Sequence, residues 1–257
     1  MRKPFPKPSQ IVSYTLLILG PVSLAGSILS NSSILAFIGL GLTFWGALLL
    51  YIRPERYVKS SLLNSTTLST ITTLNQIIEA YNPKGRPVYL PPKSLEELKT
   101  GKTFISSTKK LAIPSADELA TEKIFLNNPD GLLLTPPGVA LTNLYEDTLG
   151  TSFTRLDLAD LQNTLPKLFI EDLEIAKNLE TTIKDQQIHI KITEPVYQDF
   201  CQQAQKLPHL CHSLGCPLCS SLAIALTRTT GKPITIENTQ PSKDGKLIET
   251  SYRIVEE

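Results

Sequence analysis

Two apolar stretches near the N-terminus decide the fold: IVSYTLLILGPVSLAGSIL at residues 11–29 and SILAFIGLGLTFWGALLLYI at residues 33–52. Neither stretch contains Asp, Glu, Lys, Arg or His. A helix of about 20 residues crosses a hydrocarbon core of about 30 Å, and it satisfies its own backbone hydrogen bonds, which lipid does not. The pattern therefore predicts two transmembrane helices, because buried core helices rarely lack charge over two such adjacent runs.

The short link between these helices predicts a hairpin, since only residues 30–32 separate them. Basic residues flank the pair on its outer ends: Arg2, Lys3 and Lys7 before it, and Arg53, Arg56 and Lys59 after it. The connecting turn carries no charge. The positive-inside rule then predicts a multi-pass protein of the cell membrane with both termini in the cytoplasm.

A signal peptide is the alternative interpretation of residues 1–27, which have a basic start, an apolar centre and small residues near Ala25 and Ser27. The second helix would still anchor the chain, and its basic flank would still favour a cytoplasmic domain. Ionisable groups within membrane spans often mark ion pathways. Their absence here favours a plain anchor over a transporter.

The remaining chain divides into an anchor at 1–58, a stalk helix at 59–82 and a cytoplasmic domain at 83–257. Apolar residues recur in the stalk at helical spacing: Leu62, Leu63, Leu68, Ile71, Leu74, Ile77 and Ile78. This stripe requires a partner surface. It either packs on the domain of its own chain or pairs with a second copy.

The domain is predicted to be α+β, since its strands and helices are mixed without strict alternation. Capping-box spacing at Ser94 and Ser115 indicates two helix starts. Strands are predicted at 88–90, 103–106, 123–126 and 131–135, the last two as a hairpin. A helix is predicted from Gly138 to Leu149, ended by Gly150. One or two helices broken near Pro166 are predicted within 157–178.

The C-terminal unit, about residues 179–257, has the clearest pattern. Hairpins are predicted at 179–193 and 234–255, and helices at 195–207 and 217–229. Alternate residues of the last strand are apolar or β-prone, from Ile248 to Ile254. One face of that strand is therefore predicted to be buried.

The chemistry-bearing residues are concentrated near the end of the chain. The candidate metal ligands there are Cys201, Cys211, Cys216, Cys219, His209 and His212. A reducing cytoplasm disfavours structural disulfides, which leaves three interpretations open. The cysteines are buried apolar residues, or they bind zinc and less readily an iron–sulfur cluster, or Cys216 and Cys219 form a redox dithiol at a helix N-terminus.

Other functional signals are weak. The formal net charge of +1 gives no basic excess for nucleic acid. Gly101-Lys102-Thr103 lacks the first glycine of a phosphate-binding loop, because position 96 is Glu96. His189 is predicted to be a strand residue and not a catalytic base.

Four stretches resemble an uncharacterised family of archaeal membrane proteins with a two-helix anchor and a cytoplasmic domain: Val88–Pro92, Thr135–Gly138, Leu165–Leu168 and Leu214–Cys219. The last stretch contains the Gly-Cys-Pro-x-Cys motif. The resemblance implies this architecture and no catalytic role.

These observations favour a non-enzymatic, membrane-tethered binding or regulatory module. The bilayer is its predicted partner, with membrane proteins or a second copy through the stalk helix as further partners. The alternative is a redox or metal protein acting through the cysteine cluster, with zinc as the candidate cofactor. An enzyme without a recognisable motif is also left open.

Overall fold

The computed structural model describes residues 8–51, 60–92, 101–121, 123–196, 198, 203, 206–242 and 244–256. The chain divides into two compact units, Met1–Lys59 and Ser60–Glu257. The first unit contains two apolar helices, and the second combines helices with an antiparallel sheet. The predicted α+β class is confirmed.

The first unit is a hairpin of α1 (Pro8–Ser30) and α2 (Ser33–Tyr51). Asn31 between them has a φ of 52°, the left-handed conformation that short polar residues tolerate in turns. The backbones approach closely at two glycines of α2. A Cβ atom added to Gly39 would lie 2.8 Å from a backbone nitrogen of α1, and one added to Gly46 would lie 2.9 Å from another. Small residues thus permit this close helix contact.

The described helices and strands of the second unit follow in chain order. The helices are α3 (Ser60–Tyr81), α4 (Ala116–Ala120), α5 (Val139–Leu149), α6 (Leu158–Lys167), α7 (Pro208–Ser213) and α8 (Pro217–Thr230). The strands are β1 (Pro87–Tyr89), β2 (Thr103–Ser106), β3 (Phe125–Asn127), β4 (Asp130–Leu134), β5 (Ala176–Lys184), β6 (Gln187–Pro195), β7 (Ile234–Pro241) and β8 (Leu247–Ile254).

The eight described strands form one antiparallel sheet in the order β3-β4-β2-β1-β7-β8-β6-β5. The pairing of β1 with β7 places Val88 opposite Thr235 and Tyr89 opposite Ile234. This pairing joins the four strands nearest the N-terminus to the four nearest the C-terminus. The C-terminal hairpins are therefore half of a continuous sheet.

One face of this sheet packs against helices. Over its first half, Ile105 and Leu132 lie in a buried cluster with Ile71 and Ile78 of α3. Over its second half, buried residues of β5, β6, β7 and β8 share a cluster with α6 and α8, including the fully buried Leu222. Burial of this apolar surface is the main favourable contribution to the stability of the second unit.

The opposite face has two different halves. Val88, Phe104 and Leu133 are buried there with Leu119 of α4. Beyond β1, the same face of β7, β8, β6 and β5 presents mainly polar side chains, which are exposed or half-buried except for the buried Thr235. The sheet thus has a polar, open face over its C-terminal half.

Most predicted elements of the domain are confirmed where the structure describes them. The hairpin of β3 and β4 is present, and Ser115 accepts a hydrogen bond from the amide of Glu118 as the cap of α4. Gly150 ends α5 with a φ of 65°. In β8, Ile248, Thr250, Tyr252 and Ile254 are buried, as alternation predicts.

The predicted helical region 157–178 is wrong at its C-terminal end. Pro166 lies inside α6, which continues into a π-helical turn at Leu168–Asp172. Strand β5 already begins at Ala176, because Ala176 and Asn178 pair with Pro195 and Thr193 of β6. The predicted helix start at Ser94 and most of the predicted helix 195–207 lie outside the described residues.

Helix α3 packs on the domain of its own chain. Ile71 is 3% exposed and Ile78 is 1% exposed, both against the sheet. The side-chain oxygen of Asn75, also buried, accepts a hydrogen bond of 3.0 Å from the Leu210 amide at the start of α7. These contacts confirm the intramolecular alternative for this face of the stalk helix. Pairing with a second copy stays a prediction.

Adjacent isoleucines of α3 provide a matched test of this packing. We expect Ile78→Ala to lower the free energy of unfolding by about 2–5 kcal/mol, because it leaves a cavity in a closed cluster. Ile77 is 37% exposed, so Ile77→Ala should lower it by less than about 1 kcal/mol. Pulse proteolysis in urea, on the full-length chain in detergent, measures both values. Equal losses, or losses that depend on protein concentration, would contradict intramolecular packing.

Candidate functional site

Helix α8 begins with two of the cysteines. Cys216 is its N-cap residue with extended backbone, and Pro217 occupies the first helical position. Proline suits this position because the first helical amides have no partner within the helix. The Cys216 Sγ accepts a hydrogen bond of 3.5 Å from the amide of Cys219. The cap places both thiols on the same side of the helix start.

The two thiols lie close together. The Cys216 Sγ is 3.5 Å from the Cys219 Sγ, a distance at which the two sulfurs are in contact but not bonded to each other. Cys216 is 8% exposed and Cys219 is fully buried. The Cys219 Sγ also lies 3.4 Å from the Thr250 hydroxyl of β8. The pair therefore lies between the start of α8 and the sheet, with Cys216 nearer to solvent.

Two buried tyrosines hold the backbone around these thiols. The Tyr89 hydroxyl donates to the Leu214 carbonyl, and the Tyr252 hydroxyl donates to the Cys219 carbonyl at 2.9 Å. Burial raises the pKa of both phenols well above the usual value near 10. Both hydroxyls therefore stay protonated and act as donors at neutral pH.

Gly215 allows the turn between α7 and α8. Its φ is 69°, which favours glycine, and an added Cβ atom would lie 3.0 Å from Ile236 and 3.4 Å from the Cβ of Cys219. A larger residue here would strain the turn and displace the thiol pair. The Gly-Cys-Pro-x-Cys sequence is thus a local structural unit.

An ion pair anchors the other end of α8. Arg228 is 4% exposed and donates to Glu146 at 2.7 Å and to Asn143 at 2.9 Å, both on α5. Burial lowers the pKa of Arg228 from its usual value, and Glu146 opposes that shift. The charged network fixes α8 against α5 and so fixes the thiols at its start.

Cys211 lies on α7 and is half-buried. Burial, with a smaller contribution from Cys216, raises the pKa of its thiol to about 12. At neutral pH this side chain is therefore a thiol and a poor nucleophile. It packs against the main core cluster, which matches the interpretation of a buried apolar cysteine.

Of the remaining predicted ligands, the structure describes the side chain of His209 alone. The His209 side chain is 44% exposed and its Nε2 lies 3.9 Å from a carboxylate oxygen of Glu79. Cys201 and the side chain of His212 lie outside the described residues. Among the side chains that the structure does describe, no three His, Cys, Asp or Glu groups form a metal-binding cluster. The six-residue metal site stays a prediction.

A polar depression on the open sheet face was not predicted from the sequence. Its volume is about 350 Å³, and its lining residues come from four strands: Glu180, Thr182, His189, Ile190, Lys191, Asn238, Gln240, Glu249, Thr250 and Ser251. His189 Nδ1 lies 2.9 Å from the Ser251 hydroxyl. His189 is a strand residue, as predicted. Polar residues alternate along β6 and β8, and this pattern could have indicated a polar sheet face. The depression itself was not predictable, because it depends on which strands pair in the folded protein.

Comparison with known proteins gives one match. The sequence profile of a domain of unknown function, DUF7982, covers residues 9–252, which include both apolar helices and almost the whole sheet. No curated protein and no solved structure matches the chain. The match supports an uncharacterised family, as the resemblance implied. This protein therefore belongs to the DUF7982 family.

Proposed function

We propose that this protein is anchored in the cell membrane by α1 and α2, and that its sheet domain is a binding or regulatory module at the cytoplasmic surface. The observation that carries the proposal is the apolar surface of the hairpin. Large side chains there are exposed, including Ile18 at 66%, Val22 at 61% and Phe37 at 78%. Transfer of each such side chain from water to an apolar environment lowers the free energy by about 1.5–3 kcal/mol.

The dimensions of the helices support a membrane location. The spans Val12–Ser30 and Ser33–Tyr51 have 19 residues each and mean hydropathies of 1.7 and 2.1. Only 11% of each span is buried within the protein, whereas a core helix of a soluble protein is mostly buried. The family match begins at residue 9, so it includes the first helix. That observation favours an anchor over a cleaved signal peptide.

The sequence flanks support the orientation. Six basic residues lie on the outer ends of the hairpin, and the turn between the helices is uncharged. Lys and Arg are retained on the cytoplasmic side of membranes. A domain that follows the second helix would therefore lie in the cytoplasm. An archaeal source for the family stays a prediction.

The open half of the sheet supports a binding role. Three residues of its polar depression, Glu180, Lys191 and Glu249, alternate in charge across neighbouring strands. Such a surface suits a polar protein partner. The membrane tether would raise the local concentration of the sheet domain near membrane proteins. The apolar side of α3 already packs within the chain, which makes the open face the better candidate surface for a second protein.

Cysteines introduced at two exposed sites test the topology. We expect Ser33→Cys, in the turn region, to react with a membrane-impermeant maleimide on intact cells. Lys109→Cys, in the sheet domain, should react only after permeabilisation, because the positive-inside rule places it in the cytoplasm. Both residues are exposed in the structure, and peptide mapping separates their adducts from the native cysteines. Reaction of Lys109→Cys in intact cells would contradict the proposed orientation.

A redox or metal function of the cysteine cluster is the second candidate. The distance of 3.5 Å between Cys216 Sγ and Cys219 Sγ favours it, since a small movement forms a bond of about 2.05 Å. The redox form requires only these two thiols. The metal form requires two further ligands, and the described residues supply no such group.

Anaerobically purified full-length chain distinguishes these forms. For the redox function we expect oxidised glutathione to convert Cys216 and Cys219 into a disulfide, with zinc and iron far below one atom per chain. For the metal function we expect about one zinc per chain and thiols protected from alkylation. Metal analysis and peptide mass mapping measure both. If the chain shows neither bound metal nor a disulfide, this candidate is eliminated and the cysteines are buried apolar residues.

A further inference from the structure

We propose that the protein takes part in thiol–disulfide exchange, with Cys216 as the attacking thiol, Cys219 as the resolving thiol and a disulfide of a partner molecule as the substrate. This inference rests on the redox candidate and adds the order of attack and the substrate class to it. The two thiols are adjacent but differ in exposure, hydrogen bonding and helix position, and these differences determine the order.

Cys216 has the properties of an attacking thiol. It retains 8% exposure, whereas Cys219 has none. Its Sγ is at the N-cap of a 14-residue helix and accepts the Cys219 amide hydrogen bond. Backbone amides and the helix dipole stabilise a thiolate at this position.

Cys219 is placed to resolve a mixed disulfide. Its Sγ is 3.5 Å from the Cys216 Sγ. Cys219 therefore reaches a mixed disulfide formed on Cys216 without rearrangement of the helix. The Thr250 hydroxyl, 3.4 Å away, provides the buried sulfur with a polar neighbour. Because Cys219 is fully buried, a partner disulfide does not reach it directly.

The exchange is balanced as two displacements. Cys216 loses its proton to solvent and its sulfur bonds to one sulfur of the partner disulfide, whose other sulfur leaves and takes up a proton. The Cys219 sulfur then bonds to the Cys216 sulfur, which breaks the mixed disulfide. The partner sulfur that was bonded to Cys216 leaves and takes up the proton of Cys219. Two protein thiols are oxidised by two electrons, and one partner disulfide is reduced to two thiols.

The described side chains around the thiol pair differ in whether they are able to take part in the exchange. Tyr89 and Tyr252 donate to backbone carbonyls and their raised pKa values keep them protonated, so neither acts as the base. Cys211 is on a different helix, and its pKa of about 12 keeps it unreactive at neutral pH. The small exposed fraction of Cys216 favours a slim disulfide, such as a small molecule or an extended peptide segment.

Glutathione disulfide is the probe for the order of attack. The reduced full-length chain in detergent is mixed with excess probe, quenched with acid and mapped by mass. We expect the unaltered chain to end with a Cys216–Cys219 disulfide and Cys219→Ser to hold a stable glutathione adduct on Cys216. Cys216→Ser should form an adduct on Cys219 at least about tenfold more slowly, because that sulfur is buried. Cys211→Ser is the matched control and should react as the unaltered chain does.

The possible results test the order of attack separately from the redox function. If the unaltered chain forms no Cys216–Cys219 disulfide at any ratio of oxidised to reduced glutathione, the redox candidate fails. If that disulfide forms but the first adduct is on Cys219, only the order of attack fails. Rapid quenching of the unaltered chain captures the first adduct without any substitution, so a variant that does not fold leaves the test intact.

Discussion

Water is a poor solvent for the apolar surface that α1 and α2 present, and the contact between these two helices leaves most of that surface exposed. The two helices contact each other through glycines, and most of their large apolar side chains point outward. The proposed bilayer would make this arrangement favourable, because lipid replaces water around those side chains and requires no hydrogen bonds from helical backbone. The sheet domain has no comparable exposed apolar surface among its described residues, so the proposed membrane contact belongs to the hairpin.

The thiol pair lies where the two halves of the sheet join. Tyr89 comes from β1 and Tyr252 from β8, and their hydroxyls bind carbonyls on either side of Cys216. The β1–β7 pairing therefore does more than extend the sheet, since it brings both tyrosines to the turn before α8. The Arg228 network holds the far end of the same helix. The distance between the two sulfurs determines whether they can form a disulfide. A helix fixed at both ends keeps that distance constant.

Local patterns in the sequence predicted much of this fold. The uncharged stretches, the turn at 127–130 and the glycine after α5 each carry their signal within one short segment of sequence. The structure shows two helices, a hairpin and a helix end at these positions, and the membrane crossing of the two helices stays a prediction. Long-range pairing was not predictable in the same way. Ala176 and Asn178 became strand residues through partners on β6, and the polar depression exists because four strands align. Helix α7 has six residues, too few for a helical period to be visible. For the site, the sequence identified the adjacent cysteines, whereas their separation and the tyrosines around them depend on the tertiary fold.

Membrane integration of the full-length chain tests whether α1 and α2 anchor the protein in lipid. Cells that produce the protein are broken without detergent, and their membranes are washed with alkaline carbonate, which releases peripheral proteins but retains those that span the lipid. We expect the chain, with its first helix retained, to stay with the membrane pellet and to be released only by detergent. Recovery of the intact chain in the aqueous supernatant, folded and without detergent, would contradict it.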